Sequence, residues 1–380
     1  MAEIMKGGTM QTDHENALAP REEVAALPPY NAGITVAAAR RISGRNDIAA
    51  LASNENPYGA SPRVSEALGS LVPSRYSDPA CGALRQALSE KLGIVPDRIV
   101  CGNGSEGLIS ALCRAYLRKG DTVLTISPCF GLHEIEPMAA GAQLVKVPMT
   151  KEFDYDVDAL VQKLALGPKI VFISSPSNPV GAALARQELA RLVDAVPPGT
   201  LFVLDEAYFE MVDPNYPNGL KFLIERQGVS WVVLRTFSKA YGLAGLRVGY
   251  GVSSDRCIAR AMRACLTPFN VNAAAQIAAA AALQDSDWME KTTAKMRRGR
   301  ASLAERLRGL GFRVVPSQAN FLFLDLETDA ARVAGALLQK GIIVKPWMET
   351  GYTDHLRVSV GKAEDNERLA QELARTLALA

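Results

Sequence analysis

"RIVCGNGSEGLISALCRAYL", residues 98–117, runs from a short apolar stretch into Gly102-Asn103-Gly104-Ser105-Glu106-Gly107 and on into a helical pattern. The spacing is a literal G-x-G-x-x-G, the pattern of a turn that holds a dinucleotide's pyrophosphate. A dinucleotide site also needs an acid at the far end of the next strand, to hold the ribose hydroxyls. That strand is "DTVLTISP", 121–128. Its acid, Asp121, stands at the beginning, and its far end offers Ser127 and Pro128. The dinucleotide partner is missing. The phosphate function survives, because the free N–H groups and the dipole at a helix N-terminus favour an anion of any kind.

Outward from this loop, strand-like runs alternate with helical ones from about 98 to 252. "DTVLTIS" precedes a helix near 131–140, and "AQLVKVP" precedes a polar helix near 156–165. "KIVFISSP", a helix near 185–195, "TLFVLDEAY", "SWVVLRTFSK" and "RVGYGVS" complete the series. The alternation predicts an α/β domain whose mostly parallel sheet is buried on both faces, with ligands beyond the C-terminal ends of its strands. After about 255 an alanine-rich helical region runs to about 310, interrupted by Pro268. "RVVPSQANFLFLDL", a helix, "GIIVKPW", "HLRVSVG" and a final amphipathic helix then predict a smaller α+β domain.

Composition narrows the function classes. The 380 residues are 48% hydrophobic, enough for a large core. The 42 basic and 40 acidic side chains leave a formal charge of only +2, so no polybasic field for nucleic acid or membrane is expected. The six cysteines include no C-x-x-C and several lie in apolar runs, which points to reduced buried thiols in a cytoplasmic protein. The three histidines, His14, His133 and His355, have no metal-ligand spacing, so no metal site is expected. The opening "MAEIMKGGTMQTDHENALAP" lacks the apolar core of a signal peptide or anchor and reads as a flexible tail.

Three further strand ends carry chemistry. "LFVLDEAY" takes an apolar run into Asp205 and ends at Tyr208. A buried carboxylate there needs a cation. "VVLRTFSKAYGLAGLRVGY" places Lys239 just past another strand, with Thr236 and Ser238 before it and Arg247 after it. "VFISSPSNPVGA" puts Asn178 in a turn at a third strand end. Together they supply what pyridoxal 5'-phosphate requires: Lys239 as the amine for a Schiff base and Asp205 as the acid for the pyridine nitrogen. The anion site is then Gly104, Ser105 and Glu106 with Thr236, Ser238 and Arg247. Lys239, once freed, serves as general base and acid.

On these stretches, and on "PPYNAG", "LASNENPYGASP", "SRYSDPACGALRQAL" and "LRVSVG", the chain resembles the fold-type I pyridoxal-phosphate aminotransferases (class I/II), most of all the histidinol-phosphate aminotransferase family. The stretches run in family order from about 28 to 362. The resemblance implies a large domain at 49–265 that binds the cofactor through a mostly parallel sheet, and a small α+β domain at 266–380. Residues 26–48 join the small domain and 1–25 form the tail. It implies that Asn178 and Tyr208 bond the cofactor's phenolic oxygen and that Phe130 stacks on its ring, where relatives often have tyrosine. It further implies that Arg357 grips a substrate carboxylate, a task that suits its bidentate fork. It implies too that Asn56 lies near the active site among the substrate-binding residues, that Tyr30 contacts the substrate phosphate, and that Tyr76 reaches the cofactor phosphate of a neighbouring subunit in a homodimer with shared sites.

Two positions depart from the family. Lys345 stands where an arginine commonly helps bind the substrate phosphate, keeping the charge but losing the fork. Val180 stands where threonine is usual. The implied reaction is amino transfer between L-histidinol phosphate and 2-oxoglutarate, giving imidazole-acetol phosphate and glutamate. The alternatives are an aminotransferase for aromatic or other amino acids, a threonine-phosphate decarboxylase on the same scaffold, and a non-catalytic ligand-binding protein. The last usually carries a DNA-binding module ahead of this fold, and the tail is too short for one.

Overall fold

Runs such as Ile170–Ser174 and Leu201–Asp205 are apolar at nearly every position, so they belong in a sheet covered on both faces. The computed structural model, which describes residues 18–28 and 31–378, places them there. In chain order its strands are β1 (Ala49–Ala50), β2 (Ile99–Gly102), β3 (Thr122–Ser127), β4 (Gln143–Pro148), β5 (Ile170–Ser174), β6 (Leu201–Asp205) and β7 (Ser230–Thr236). There follow β8 (Gly249–Ser253), β9 (Arg313–Val315), β10 (Phe321–Asp325), β11 (Ile342–Ile343), β12 (Lys345–Pro346) and β13 (His355–Ser359). The central sheet has the order β2-β8-β7-β6-β5-β3-β4. Only β8 runs against its neighbours; the rest are parallel. The chain is therefore an α/β protein built on a mostly parallel sheet.

Two apolar layers flank that sheet. One contains Phe202, Trp231 and Phe237, the other Phe172, Leu108 and Ile109, all fully buried. Cys81, Cys101, Cys113 and Cys129 are buried free thiols. A second, antiparallel sheet, β12-β13-β10-β9, carries its own core of Leu322, Leu324, Leu356 and Val358 against the helices Ser286–Gly309 and Ala363–Ala378. Strand β1 pairs in parallel with β11, Ala49 opposite Ile342, so the N-terminal stretch lies against the C-terminal quarter of the chain.

Local sequence explains the points where the structure is more divided than the pattern. The alanine-rich region breaks at 266–272 and again at 284–285, where the Asp285 side chain accepts the Trp288 N–H and starts a new helix. "GIIVKPW" makes two strands of two residues because the chain changes partners at Val344, from β1 to β13. Of the stretch expected as a tail, 1–17 lies outside the described residues. Glu22–Ala25 is one helical turn, and Glu23 pairs with Lys119 at 2.7 Å. No helix among the described residues is long and apolar enough to cross a membrane.

Candidate active site

The C-terminal ends of β3, β5, β6 and β7 open into a cavity of about 620 Å³, closed on its other side by residues from 31–33, 52–55 and 345–349. Strand alternation decides what reaches it. At the end of β6, Asp205 lines the cavity, while Glu206 pairs with Arg235 at 2.7 Å, both fully inside the protein. On β7, Thr236 lines the cavity and Arg235 does not. The register sets Ser174 beside Asp205 and Asp205 beside Leu234.

Asp205 is held firmly. The Ala207 N–H donates to its Oδ1 at 3.0 Å, and His133 Nε2 lies 3.2 Å from its Oδ2. His133 is fully buried and stacks on Phe172, with ring centroids 5.0 Å apart. Lys239 Nζ donates to the Ser53 carbonyl at 2.9 Å. Burial first, and then the nearby Arg357 guanidinium, lowers its proton affinity to about 8. Near pH 7 about a tenth of this amine is neutral, against well under a thousandth for an ordinary lysine.

The glycine-rich loop opens the helix Gly104–Tyr116, and Asn103 makes no side-chain cap bond to it. Its first-turn N–H groups are thus left for a ligand. Gly104 has φ +69°, and a Cβ there would meet Arg247 Nη2 at 2.7 Å. Gly249 on β8 is equally constrained, since a Cβ would lie 2.6 Å from the Ser105 nitrogen. The loop, Arg247, Thr236 and Ser238 therefore pack as one concave group. Arg247 Nη2 donates to Glu106 Oε2 at 2.8 Å, and Ser238 N donates to Thr236 Oγ1 at 3.1 Å. A phosphate fits this cradle, a pyridine nitrogen fits the fixed Asp205, and a carbonyl carbon fits the Lys239 amine.

The other side-chain positions singled out in the sequence divide. Phe130, Asn178, Tyr208, Lys345 and Arg357 line the same cavity. Arg357 Nη1 donates to Asn178 Oδ1 at 2.6 Å, and its Nη2 donates to the Ala52 carbonyl at 2.5 Å. Lys345 Nζ donates to the Asn31 carbonyl at 2.6 Å, and burial followed by Arg357 lowers its proton affinity to about 8. Asn56 does not line the cavity. It braces the backbone instead, donating to the Ala240 carbonyl at 3.0 Å and accepting the Tyr58 N–H at 2.9 Å. Tyr76 is 86% exposed, stacked on Phe269 at 4.6 Å and outside this cavity of its own chain. Tyr30 lies outside the described residues.

Several cavity groups escaped the sequence. Asn54, two residues before Asn56, is the asparagine that reaches in. Its Nδ2 donates to Tyr208 Oη at 3.0 Å, and its Oδ1 accepts from Ser359 Oγ at 2.8 Å. It holds φ +56°, which asparagine tolerates better than most residues. His133 had a signal, lying one helical turn after Phe130. Glu134, Trp347 and Glu349 had none, because their placement depends on contacts between segments far apart in the chain.

Known proteins resemble the chain in sequence and in fold. The model of aminotransferase class I and II matches residues 46–373. Histidinol-phosphate aminotransferase 3 of Rhizobium meliloti is 41% identical over 357 residues, covering 93% of this chain and 96% of its own. Histidinol-phosphate aminotransferase 1 of Mesorhizobium japonicum is 41% identical over 94% of this chain and 98% of its own. Among solved structures, histidinol-phosphate aminotransferase from Sinorhizobium meliloti in complex with pyridoxal-5'-phosphate superposes with a TM-score of 0.87 at 28% identity, covering 96% of this chain and all of the other. A double mutant of Thermus thermophilus aspartate aminotransferase superposes at 0.82 and 25% identity, over 95% of this chain and all of its own, so the fold alone does not choose a substrate.

Proposed function

The chain belongs to the class I and II aminotransferases, and from that premise we propose that it uses pyridoxal 5'-phosphate to move an amino group between L-histidinol phosphate and 2-oxoglutarate, forming imidazole-acetol phosphate and glutamate. The observation that carries the substrate is the pair Lys345 and Arg357 in the cavity that also holds Lys239. Beyond Arg247 of the phosphate cradle, these two cations line the cavity and suit an anionic substrate. The relatives' shared name and their coverage support the same choice.

Lys239 would hold the cofactor covalently, Asp205 would pair with its ring nitrogen, and Phe130 would stack on its ring. Asn178 and Tyr208 would bond its phenolic oxygen. The backbone N–H groups of Gly104, Ser105 and Glu106, with Thr236, Ser238 and Arg247, would hold its phosphate, joined by Tyr76 of a second copy in a cytoplasmic homodimer. When bound, this cofactor supplies an aldehyde carbon that accepts the amino group and a ring that draws electrons from the substrate's α-carbon. His133 keeps the Asp205 carboxylate oriented, as a second hydrogen-bonding group orients a catalytic one. Lys239 Nζ carries the proton that leaves the α-carbon, and its lowered proton affinity suits both uptake and return near neutral pH. Arg357 and Lys345 bind the phosphate of one substrate, and Arg357 the carboxylate of the other.

Titration of the cofactor-loaded protein with histidinol phosphate, phenylalanine and glutamate, followed by the visible absorbance, tests this. Histidinol phosphate should exhaust the band at the lowest concentration. Bleaching by phenylalanine alone would make it an aromatic aminotransferase, a reading favoured by Lys345, which lacks the arginine fork and whose proton affinity burial lowers to about 8.

A further inference from the structure

Histidinol phosphate has two arms on its amino-bearing carbon, one ending in phosphate and one in imidazole. The cations account for the first. The second needs an apolar wall and an acceptor for the ring N–H, since a buried donor left unpaired is costly. We propose that Glu134 is that acceptor, the residue by which the cavity distinguishes an imidazole from a phenyl ring; the proposal rests on histidinol phosphate being the substrate.

Five carboxylates line the cavity: Glu55, Glu106, Glu134, Asp205 and Glu349. Glu106 is paired with Arg247, and Asp205 is held by His133 and the Ala207 N–H. Both oxygens of Glu349 are engaged, Oε1 by Lys146 at 2.5 Å and Ser127 at 2.8 Å, and Oε2 by the Trp347 indole at 3.3 Å. Glu55 is exposed and makes no hydrogen bond among the described residues. Glu106 too has an oxygen, Oε1, that accepts no hydrogen bond among the described residues, but it is committed to Arg247 in the proposed phosphate cradle; Glu134 stands apart from that cradle. Its Oε1 is pinned twice, by Lys146 Nζ at 2.7 Å and the Cys129 thiol at 3.0 Å, while its Oε2 accepts no hydrogen bond among the described residues. It is a fixed carboxylate with one oxygen to spare.

The surroundings suit a planar ring. Glu134 stands in the first turn of the helix Leu132–Ala139, which begins two residues after Phe130, and both residues line the cavity. Trp347 lines the cavity as well, and its backbone N–H donates to the His355 carbonyl at 2.9 Å. Lys146, clamped between Glu134 and Glu349, neutralises one of the two carboxylates. This end of the cavity thus keeps one negative charge for a donor, with acceptors held in place before the substrate arrives.

The decisive measurement compares histidinol phosphate with 2-amino-3-phenylpropyl phosphate, identical except for a ring without N–H, as substrates of the loaded wild type, Glu134→Leu and Glu134→Gln. In Glu134→Leu the ratio of kcat/KM for the two should fall by about 10- to 100-fold, the worth of a charged hydrogen bond, through the KM of histidinol phosphate. A ratio within about twofold of wild type, in a variant that still shows the cofactor's visible band, overturns the proposal. Should the leucine variant not fold, the near-isosteric glutamine decides: a severalfold fall supports Glu134, and an unchanged ratio overturns it. A wild type that does not prefer the imidazole substrate would fail at the substrate itself and take this inference with it.

Discussion

The proposed phosphate cradle and the segment Lys345–Glu349 face one cavity but rest on different foundations. The cradle takes Thr236 from the end of β7, presses against Gly249 of β8 and begins a helix at Gly104, all within one hydrogen-bonded sheet. Lys345 stands on a strand of two residues, and its amine is tied to the carbonyl of Asn31, three hundred residues earlier in sequence. The cradle is therefore stiff. The other wall is assembled from loops and can change without disturbing the sheet.

Three perturbations probe that contrast. The largest effect falls on the sheet side of the cavity: Lys239→Ala should lower turnover by at least about 10³-fold and abolish the visible band of the loaded protein, since no other lysine among the described residues lines that side. Multiple turnovers at near wild-type rate would refute its assignment. Next, Gly249→Ala tests stiffness. Its Cβ would meet Ser105 N at 2.6 Å and Gly104 C at 2.8 Å, backbone atoms that cannot rotate away. A loss of about 1–3 kcal/mol in stability is expected, together with weaker cofactor retention, both read from thermal melts with and without cofactor. An unchanged melt would show that the loop gives way more easily than its packing implies.

The smallest effect belongs to the adaptable wall. The charge of Lys345, with proton affinity near 8, is present below that pH and is lost above it. The KM for the phosphorylated substrate should therefore rise severalfold between pH 7 and 9 in the wild type, and much less in Lys345→Arg, whose charge persists. Comparing the two profiles separates Lys345 from Lys239, which titrates in the same range. Identical profiles would remove Lys345 from phosphate binding.

The same contrast explains what could be read from the sequence. The inner strands β5, β6 and β7 are largely apolar runs; Asp205 ends one of them, and Asn178 and Lys239 follow the other two within four residues, so a local pattern locates them. Asn54 and Asn56 could not be told apart that way. Which of the two turns inward depends on Ser359 and Asn320, which bond Asn54 from the far end of the chain. His133 was visible as a residue but not as a partner of Asp205, because that contact joins a helix to a strand seventy-two positions away. Glu134 shares this difficulty: its fixity comes from Lys146 on a neighbouring strand.

The pairing of Ala49–Ala50 with Ile342–Ile343 carries a consequence for how the protein comes into being. The stretch that follows β1, Ala52–Glu55, contributes to the cavity, yet β1 itself has no strand partner until about the last tenth of the chain exists. Growing from its N-terminus, a nascent chain can form the central sheet first, while the earliest segment waits. Catalytic competence therefore arrives only near the end of synthesis, and a chain cut short before residue 342 would keep most of its core while lacking one wall of its active site.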